Sequence, residues 1–298
     1  MSRDKKMGTK ALAVLGLLLT TVIWGSTFVV MKNTVDLVPP AWLLAFRFTA
    51  ATIAMAFVFR NAIGRTDKRT VGRGAILGVF LAGAYLLQTY GLKYTTASKN
   101  AFITTLYIVL VPFLQWAVYK KRPGCNVMAA AFLATVGLAL LSLRGDLTVE
   151  LGDMLTFLCG ICFALHILCV DRFTERFDPV VLTVVQIGMA ALICWVLAPF
   201  LDGRFDVSVL ANAGLLGGLI YLSLFATMGG FLLQNVGQKY LSATTTSLLL
   251  SLESVFGAVF SVVFLKEVMT GRMIAGCGLL FLAVILSECW PGNKKGEP

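Results

Sequence analysis

Residues 242–267 read SATTTSLLLSLESVFGAVFSVVFLKE, an apolar stretch with one carboxylate, Glu253, near its middle. About 20 helical residues, each rising about 1.5 Å, cross the hydrocarbon core of a bilayer, so this stretch is long enough to span one. An ionised side chain at the bilayer centre costs roughly 2.5–3.5 kcal/mol on insertion scales. Such a residue persists where it faces protein or water. We therefore interpret Glu253 as a residue that lines the interior of a helical bundle.

The residues just before this stretch recur earlier in the chain. Residues 88–97, QTYGLKYTTA, match residues 234–243, QNVGQKYLSA, with Gln, Gly, Lys, Tyr and Ala in the same places at an offset of 146. A second match, at an offset of 139, pairs Arg47 with Gln186. These matches predict two copies of one unit, in residues 1–147 and 148–298.

The composition places most of the chain in lipid. It is 58% hydrophobic and 13% charged, whereas soluble domains carry about 25% charged residues. The apolar runs are too long for membrane strands, so an all-α, multi-pass membrane protein is expected. The net charge of +10 lies in short loops between these runs, which argues against a nucleic-acid partner. The ten runs are 11–31, 41–59, 74–92, 98–118, 125–143, 152–170, 180–200, 211–236, 243–265 and 272–290.

The basic residues predict the orientation of these ten helices. With ten spans both termini share one side, and that side carries 17 Lys and Arg residues against 7 on the other. Because basic loops stay in the cytoplasm, both termini are predicted to be cytoplasmic. Five helices per copy is an odd number, so the second copy enters the membrane upside down. The result is an inverted repeat of the kind that many secondary transporters use for alternating access.

Several motifs make both copies similar to the EamA domain of the drug/metabolite transporter superfamily: Trp24-Gly-Ser26, Gly91-Leu-Lys-Tyr, Lys239-Tyr240 and Leu252-Glu253. The resemblance covers nearly the whole chain. It implies ten helices in two inverted five-helix repeats and a central cavity lined mainly by helices 1, 3, 4, 6, 8 and 9. Many members export amino acids or other small metabolites across the bacterial plasma membrane, and relatives carry nucleotide sugars or phosphorylated sugars. Ser254 stands where a proline is common, which predicts a straighter ninth helix.

Polar and aromatic side chains on these helices are the candidates for lining a substrate cavity. Three of them, in the fourth helix, are spaced by four and three residues and share one face. The alternative is that such hydroxyls and amides tie helices together, at about 0.6 kcal/mol per contact on average. The candidates are Trp24, Ser26, Tyr85, Gln88, Asn100, Thr104, Tyr107, Gln234 and Thr246.

Two ionisable residues need separate interpretations. Glu253 is the candidate for proton coupling, because burial favours the neutral form of a carboxylate. Its alternative is a structural carboxylate bonded to a neighbouring helix, and the first copy has Tyr107 at the equivalent place. Arg47 lies in a helix expected to be peripheral, so we interpret it as structural. A substrate carboxylate is the alternative partner for it.

No pattern in the chain predicts an enzyme. His166 is the single histidine, no aspartate lies at mid-depth, and Cys159-x-x-Cys162 lies inside an apolar run, so neither a metal nor another cofactor is predicted. The expected partners are a small-molecule substrate and membrane lipid. Small residues in the fifth and tenth helices suggest a homodimer.

The expected function is a secondary transporter of the plasma membrane, the cytoplasmic membrane of a bacterium, which exports amino acids or similar small polar metabolites. Two alternatives stay open: a proton-independent uniporter, and a carrier of another solute such as a drug, a nucleotide-sugar-like or a lipid-linked compound.

Overall fold

Within the part of the chain that the structure describes, all regular elements are helices, so the all-α class is confirmed. The predicted boundary between residues 147 and 148 lies outside the described residues. The structure is a computed structural model that describes residues 3–34, 37–64, 66–95, 97–120, 122–142, 149–266 and 268–289.

The helices are separated by short connections. A 3₁₀ turn at Val207–Ala211 precedes α10, and a π-helical segment at Leu222–Gly229 joins α10 to α11 without a break. In chain order the α-helices are α1 (Arg3–Thr34), α2 (Pro40–Val58), α3 (Arg60–Ile63), α4 (Lys68–Tyr94), α5 (Ala97–Thr105), α6 (Tyr107–Tyr119), α7 (Cys125–Ser142), α8 (Leu151–Thr174), α9 (Pro179–Leu201), α10 (Ala213–Tyr221), α11 (Gly230–Gln238), α12 (Ala243–Leu250), α13 (Glu253–Leu265) and α14 (Gly271–Cys289).

Eight helical segments in the described ranges are long and apolar enough to cross a membrane. Two further apolar stretches, Cys125–Leu141 in α7 and Gly271–Leu286 in α14, are shorter and correspond to the fifth and tenth predicted runs. The eight segments are Gly8–Met31, Pro40–Val58, Lys68–Tyr94, Asn100–Val118, Leu151–Thr174, Pro179–Leu201, Ala213–Gln238 and Ala243–Phe264.

Two of these segments share an interruption at the offset of 146 residues. The first breaks at Leu106, between α5 and α6, and the second breaks at Ser251 and Leu252, between α12 and α13. Each segment then ends on a lysine in the left-handed conformation, with φ of 57° at Lys120 and 55° at Lys266. The local conformation therefore repeats along with the sequence.

The second interruption forms although Ser254 stands where a proline is common, so the absence of a proline does not make this helix continuous. That it is straighter than in relatives stays a prediction. Side-chain hydroxyls give the physical reason for the interruption. Those of Ser247 and Ser251 bond to carbonyl oxygens three residues earlier, at 2.9 and 2.7 Å. Such bonds compete with the helical ladder and bend it. The Leu252 amide likewise bonds three residues back, at 3.1 Å, which tightens this turn.

The helix packing relies on close approaches at glycines. α4 packs against α8 and α9, α2 against α9, α1 against α11 and α13, and α7 against α14. Gly78 brings α4 next to the backbone of Gln186 in α9, and Gly137 and Gly276 bring α7 and α14 together. Gly276, a small residue of the tenth predicted helix, is buried within the chain. A homodimer through these helices stays a prediction.

Two large apolar clusters flank the centre of the molecule. One joins residues of α1, α6, α7, α8 and α12–α14, and the other joins residues of α2, α4, α9 and α11. Trp24 and Phe163 pack against both clusters. Both also line a cavity, which therefore lies at the junction of the two clusters.

Candidate functional site

The cavity at this junction has a volume of about 110 Å³ and receives side chains from α1, α2, α4, α5, α6, α8, α11, α12 and α13. Helices from both halves of the chain therefore contribute to it. Eight of the ten residues singled out in the sequence lie on its wall: Trp24, Tyr85, Gln88, Asn100, Thr104, Tyr107, Gln234 and Glu253.

The other two candidates, Ser26 and Thr246, are not on this wall. The Ser26 hydroxyl donates to the carbonyl oxygen of Ile23 at 2.6 Å and is hydrogen-bonded to the Tyr221 hydroxyl. Thr246 is fully buried in α12, and its hydroxyl has no hydrogen-bond partner in the described structure. A role for either residue in binding a substrate stays a prediction.

The amide side chains on one side of the cavity hold its wall in place. Asn100 donates to the Thr156 hydroxyl at 2.8 Å and to the backbone oxygen of Gln88 at 3.1 Å, so it ties α5 to α8 and α4. The Gln88 amide donates in turn to Thr104 at 3.3 Å. Because a buried amide is costly unless it is satisfied, these bonds fix the orientation of the polar wall.

A second set of polar side chains lies next to the cavity wall, in α8, α9 and α11. Gln234 donates to Gln238 at 3.1 Å, and Gln238 donates to the backbone oxygen of Ile167 at 3.0 Å. The Oε1 atom of Gln234 is buried without a partner in the described structure. His166 and Gln186, both fully buried, hydrogen-bond to each other through Nε2 and Oε1 at 3.0 Å. Neither His166 nor Gln186 lines the cavity.

Glu253 is the first residue of α13 and lies directly after the helix interruption. It is half-buried, it lines the cavity, and within the described structure no side chain bonds to its carboxylate. The alternative in which a neighbouring helix satisfies this carboxylate has no such bond to support it. The carboxylate is therefore available to a solute or a proton in the cavity.

Arg47 also lines the cavity, which the sequence interpretation did not expect. It is 3% exposed. Its Nε atom donates to the Thr227 hydroxyl at 2.6 Å, and its Cζ atom lies 4.9 Å from the centre of the Tyr85 ring. Neither Arg47 nor Glu253 forms an ion pair with any residue in the described ranges. The cavity thus contains a cation and a carboxylate that are not paired with each other.

The contacts of Arg47 explain how a charge is tolerated there. A charged arginine in the bilayer core costs roughly 2.5–3.5 kcal/mol on insertion scales. A hydrogen bond to a charged group contributes about 1.5–3 kcal/mol, and a cation–π contact about 0.5–2 kcal/mol. The hydrogen bond to Thr227 and the cation–π contact with Tyr85 therefore offset about the whole free-energy cost of placing Arg47 in the bilayer core. The fold can thus hold the Arg47 side chain without a carboxylate partner.

The EamA-like transporter family model matches residues 11–143 and 150–288 of this chain. The chain belongs to this family. An uncharacterized transporter of Archaeoglobus fulgidus is 33% identical over 280 residues, which cover 94% of this chain and 87% of that protein. The uncharacterized transporter YyaM of Bacillus subtilis is 26% identical over 280 residues and covers 90% of each chain.

A solved structure described as "Crystal structure of protein" has a TM-score of 0.77 with 17% identity, over 97% of this chain and 98% of that one. At this identity the likeness shows the fold alone. The family and the names of its relatives identify this EamA-like chain as a membrane transporter. Together with the eight apolar segments, they make it a multi-pass membrane protein.

The remaining wall of the cavity in this EamA-like transporter gives little signal in the sequence. Leucine, isoleucine and phenylalanine side chains that face a cavity are the same types that face lipid, so no pattern separates the two. Thr27 could have been found from its place three residues after Trp24, on the same helical face. The wall residues not named as site candidates are Thr27, Met31, Arg47, Thr89, Leu92, Phe163, Ile167 and Leu250.

Proposed function

We propose that this chain is a secondary transporter that exports amino acids or similar small polar metabolites across the plasma membrane by alternating access. The observation that carries the proposal is the central cavity, which both halves of the chain build and which contains amides, hydroxyls and two unpaired charges. Its volume of about 110 Å³ is well below the roughly 300–1,000 Å³ of pockets for drug-sized ligands. A small, polar solute fits such a space best.

The proposal includes ten membrane helices arranged as two inverted repeats with cytoplasmic termini. α7 has 18 residues and α14 has 19. At 1.5 Å per residue both are about 27–29 Å long, close to the roughly 30 Å hydrocarbon core. The contacts also support the repeat, since α2 packs on α9 and α7 on α14, which are equivalent helices of the two halves. The excess of basic residues in one set of loops supports the orientation.

Interrupted helices beside the cavity support alternating access. The breaks after α5 and after α12 both lie next to wall residues, Tyr107 and Glu253. The π-helical segment contains Thr227, which accepts a hydrogen bond from Arg47, a further residue of the cavity wall. Broken helices at the binding site are typical of transporters whose halves rock around it, and π-helical segments often mark functional sites.

We further propose that Glu253 couples transport to protons. The test is a flux assay in proteoliposomes with a panel of labelled amino acids and related metabolites, with and without an imposed pH gradient. Wild type, Glu253→Gln and Glu175→Gln are compared. Glu175 is the matched control, because its carboxylate is exposed and paired with Arg172 at 2.9 Å, away from the cavity.

For an antiporter we expect flux that responds to the gradient in wild type and in Glu175→Gln. Glu253→Gln should lose that response and still exchange substrate. Flux that ignores the gradient in all three proteins contradicts coupling and makes the protein a uniporter. If no solute of the panel moves, export of amino acids and similar metabolites is wrong.

A further inference from the structure

We infer that Arg47 binds a carboxylate group of the transported solute and so makes the cavity selective for carboxylate-bearing compounds. The inference rests on the proposed function, because it concerns the same cavity. It assigns to one residue the selectivity that the family alone does not specify.

First, several N–H groups of Arg47 have no hydrogen-bond acceptor within the described structure. A guanidinium carries five N–H donors. In the described structure Nε donates to Thr227 at 2.6 Å, and Nη2 makes a long contact of 3.5 Å with the Tyr85 hydroxyl. Nη1 donates to no described residue, although the side chain is 3% exposed. Because Arg47 lines the cavity, its unused N–H groups are available to a solute there.

The second step is the shape of the unused edge. With Nε taken by Thr227, the donors that remain are on Nη1 and Nη2, at the end of the planar guanidinium. Two parallel N–H groups on such an edge match the two oxygens of a carboxylate, which they bind bidentately. The Tyr85 ring lies 4.9 Å from Cζ and restrains the plane of the guanidinium. The edge is thus held in one orientation before a solute arrives.

The third step is the lack of a competing anion. Arg47 forms no ion pair within the described ranges, and Glu253 is the single carboxylate on the described cavity wall. A solute carboxylate therefore displaces no protein partner from Arg47. A zwitterionic solute has, in addition, an ammonium group, which can donate hydrogen bonds to the Glu253 carboxylate.

The equivalent position shows that the fold does not require this charge. Gln186, at the offset of 139, is fully buried, and its uncharged amide hydrogen-bonds to His166. A helix-to-helix bond at this place can thus be made by an uncharged amide. The arginine adds what the amide lacks, which is a positive charge with a forked donor edge in the cavity.

The test measures binding to the full-length protein in detergent, by the shift in thermal unfolding with ligand concentration. The probes are glycine, alanine, serine and leucine as free amino acids, each beside its amide, which keeps the ammonium group and lacks the carboxylate. Acetate and acetamide are the smallest pair. Wild type, Arg47→Gln, Arg47→Lys and Arg73→Gln are compared.

In wild type we expect an acid to bind at least about tenfold more tightly than its amide, since a bidentate charge-assisted pair is lost in the amide. Arg47→Gln should abolish this preference, because acid binding loses more than amide binding does when the positive charge is removed. Arg47→Lys, which keeps the charge and loses the fork, should retain part of it and remains informative if Arg47→Gln does not fold. Arg73→Gln should behave as wild type, because the Arg73 guanidinium lies over Phe173, 5.1 Å from the ring centre, away from the cavity wall.

Two results overturn the inference: an acid preference that survives in Arg47→Gln, and a wild type that binds no carboxylate or binds acid and amide equally. Flux assays on the same proteins separate this failure from failure of the proposed function. Selective binding without any flux contradicts transport and supports the role of Arg47. Flux with an unchanged acid preference in Arg47→Gln contradicts the role of Arg47 alone.

Discussion

Arg47 and Gln186 take equivalent places in the two halves of the sequence, 139 residues apart, yet their surroundings differ. Arg47 reaches the cavity, and Gln186 is fully buried and bonded to His166. At a second pair of equivalent positions the charge lies in the other half. Tyr107 in the first half is neutral, and Glu253, 146 residues later, is a carboxylate on the same wall.

Each half thus supplies one charge of opposite sign to a cavity that both halves build. The packing explains why the two positions differ. α2 lies beside the π-helical segment, where Thr227 accepts from Arg47, whereas α9 lies tightly against α4 at Gly78 and leaves no cavity at Gln186. Two related halves can therefore form an asymmetric site when their helices have different neighbours.

The strongest test of this comparison places the charge in the other half. Gln186→Arg puts an unpaired cation into a fully buried position whose side-chain partner is His166. We expect a loss of about 3–5 kcal/mol, the range for an uncompensated buried charge. Thermal unfolding in detergent measures it, with Gln186→Leu as the uncharged control. If Gln186→Arg is as stable as wild type, positions 47 and 186 tolerate an arginine equally well, which contradicts this comparison.

The next test removes the partner of Arg47 in the π-helical segment. Thr227→Val keeps the shape of the side chain and leaves Nε of Arg47 without its acceptor at 2.6 Å. A bond to a charged group contributes about 1.5–3 kcal/mol, and a loss of that size is expected in thermal unfolding. Thr89→Val is the control, since the Thr89 hydroxyl bonds to the backbone of its own helix at 2.7 Å. If both variants unfold alike, the bond to Thr227 does not hold Arg47.

A third test opens the tight contact that excludes a cavity at Gln186. A Cβ atom at Gly78 would lie 2.6 Å from the carbonyl oxygen of Gln186, so Gly78→Ala should push α9 away. We expect a destabilisation of about 1–3 kcal/mol, typical of overpacking. Gly218, in the corresponding helix of the second half, would meet Thr34 at 3.3 Å. Gly218→Ala should be within about 0.5 kcal/mol of wild type, and an equal effect at both glycines would contradict this account.

The smallest effect is expected at Tyr85. Its hydroxyl lies 3.5 Å from Nη2 of Arg47, which is a weak hydrogen bond, so Tyr85→Phe should change stability by less than about 0.5 kcal/mol. Tyr85→Leu also removes the ring under the guanidinium and should cost about 0.5–2 kcal/mol more. An equal loss in Tyr85→Phe and in Tyr85→Leu would mean that the hydroxyl, and not the ring, positions Arg47.

The sequence alone was sufficient for the all-α, multi-pass membrane class and for most of the polar side chains that line the cavity. Apolar runs predict membrane helices because lipid offers no hydrogen-bond partner to an exposed backbone. For the same reason Asn100, Gln88, Gln234 and Glu253 could be assigned to the interior, and all four lie on one cavity wall. The offset of 146 also anticipated the equivalent places of Tyr107 and Glu253.

Tertiary packing decided what the local pattern could not. Arg47 was expected to be peripheral, and its position depends on Thr227, a contact across 180 residues of sequence. The apolar part of the cavity wall could not be predicted from the sequence, because a leucine that faces a cavity does not differ in type from one that faces lipid. The polarity of the side chains therefore indicated which of them avoid lipid. The packing of distant helices determined which of those side chains are satisfied by the protein and which remain free in the cavity.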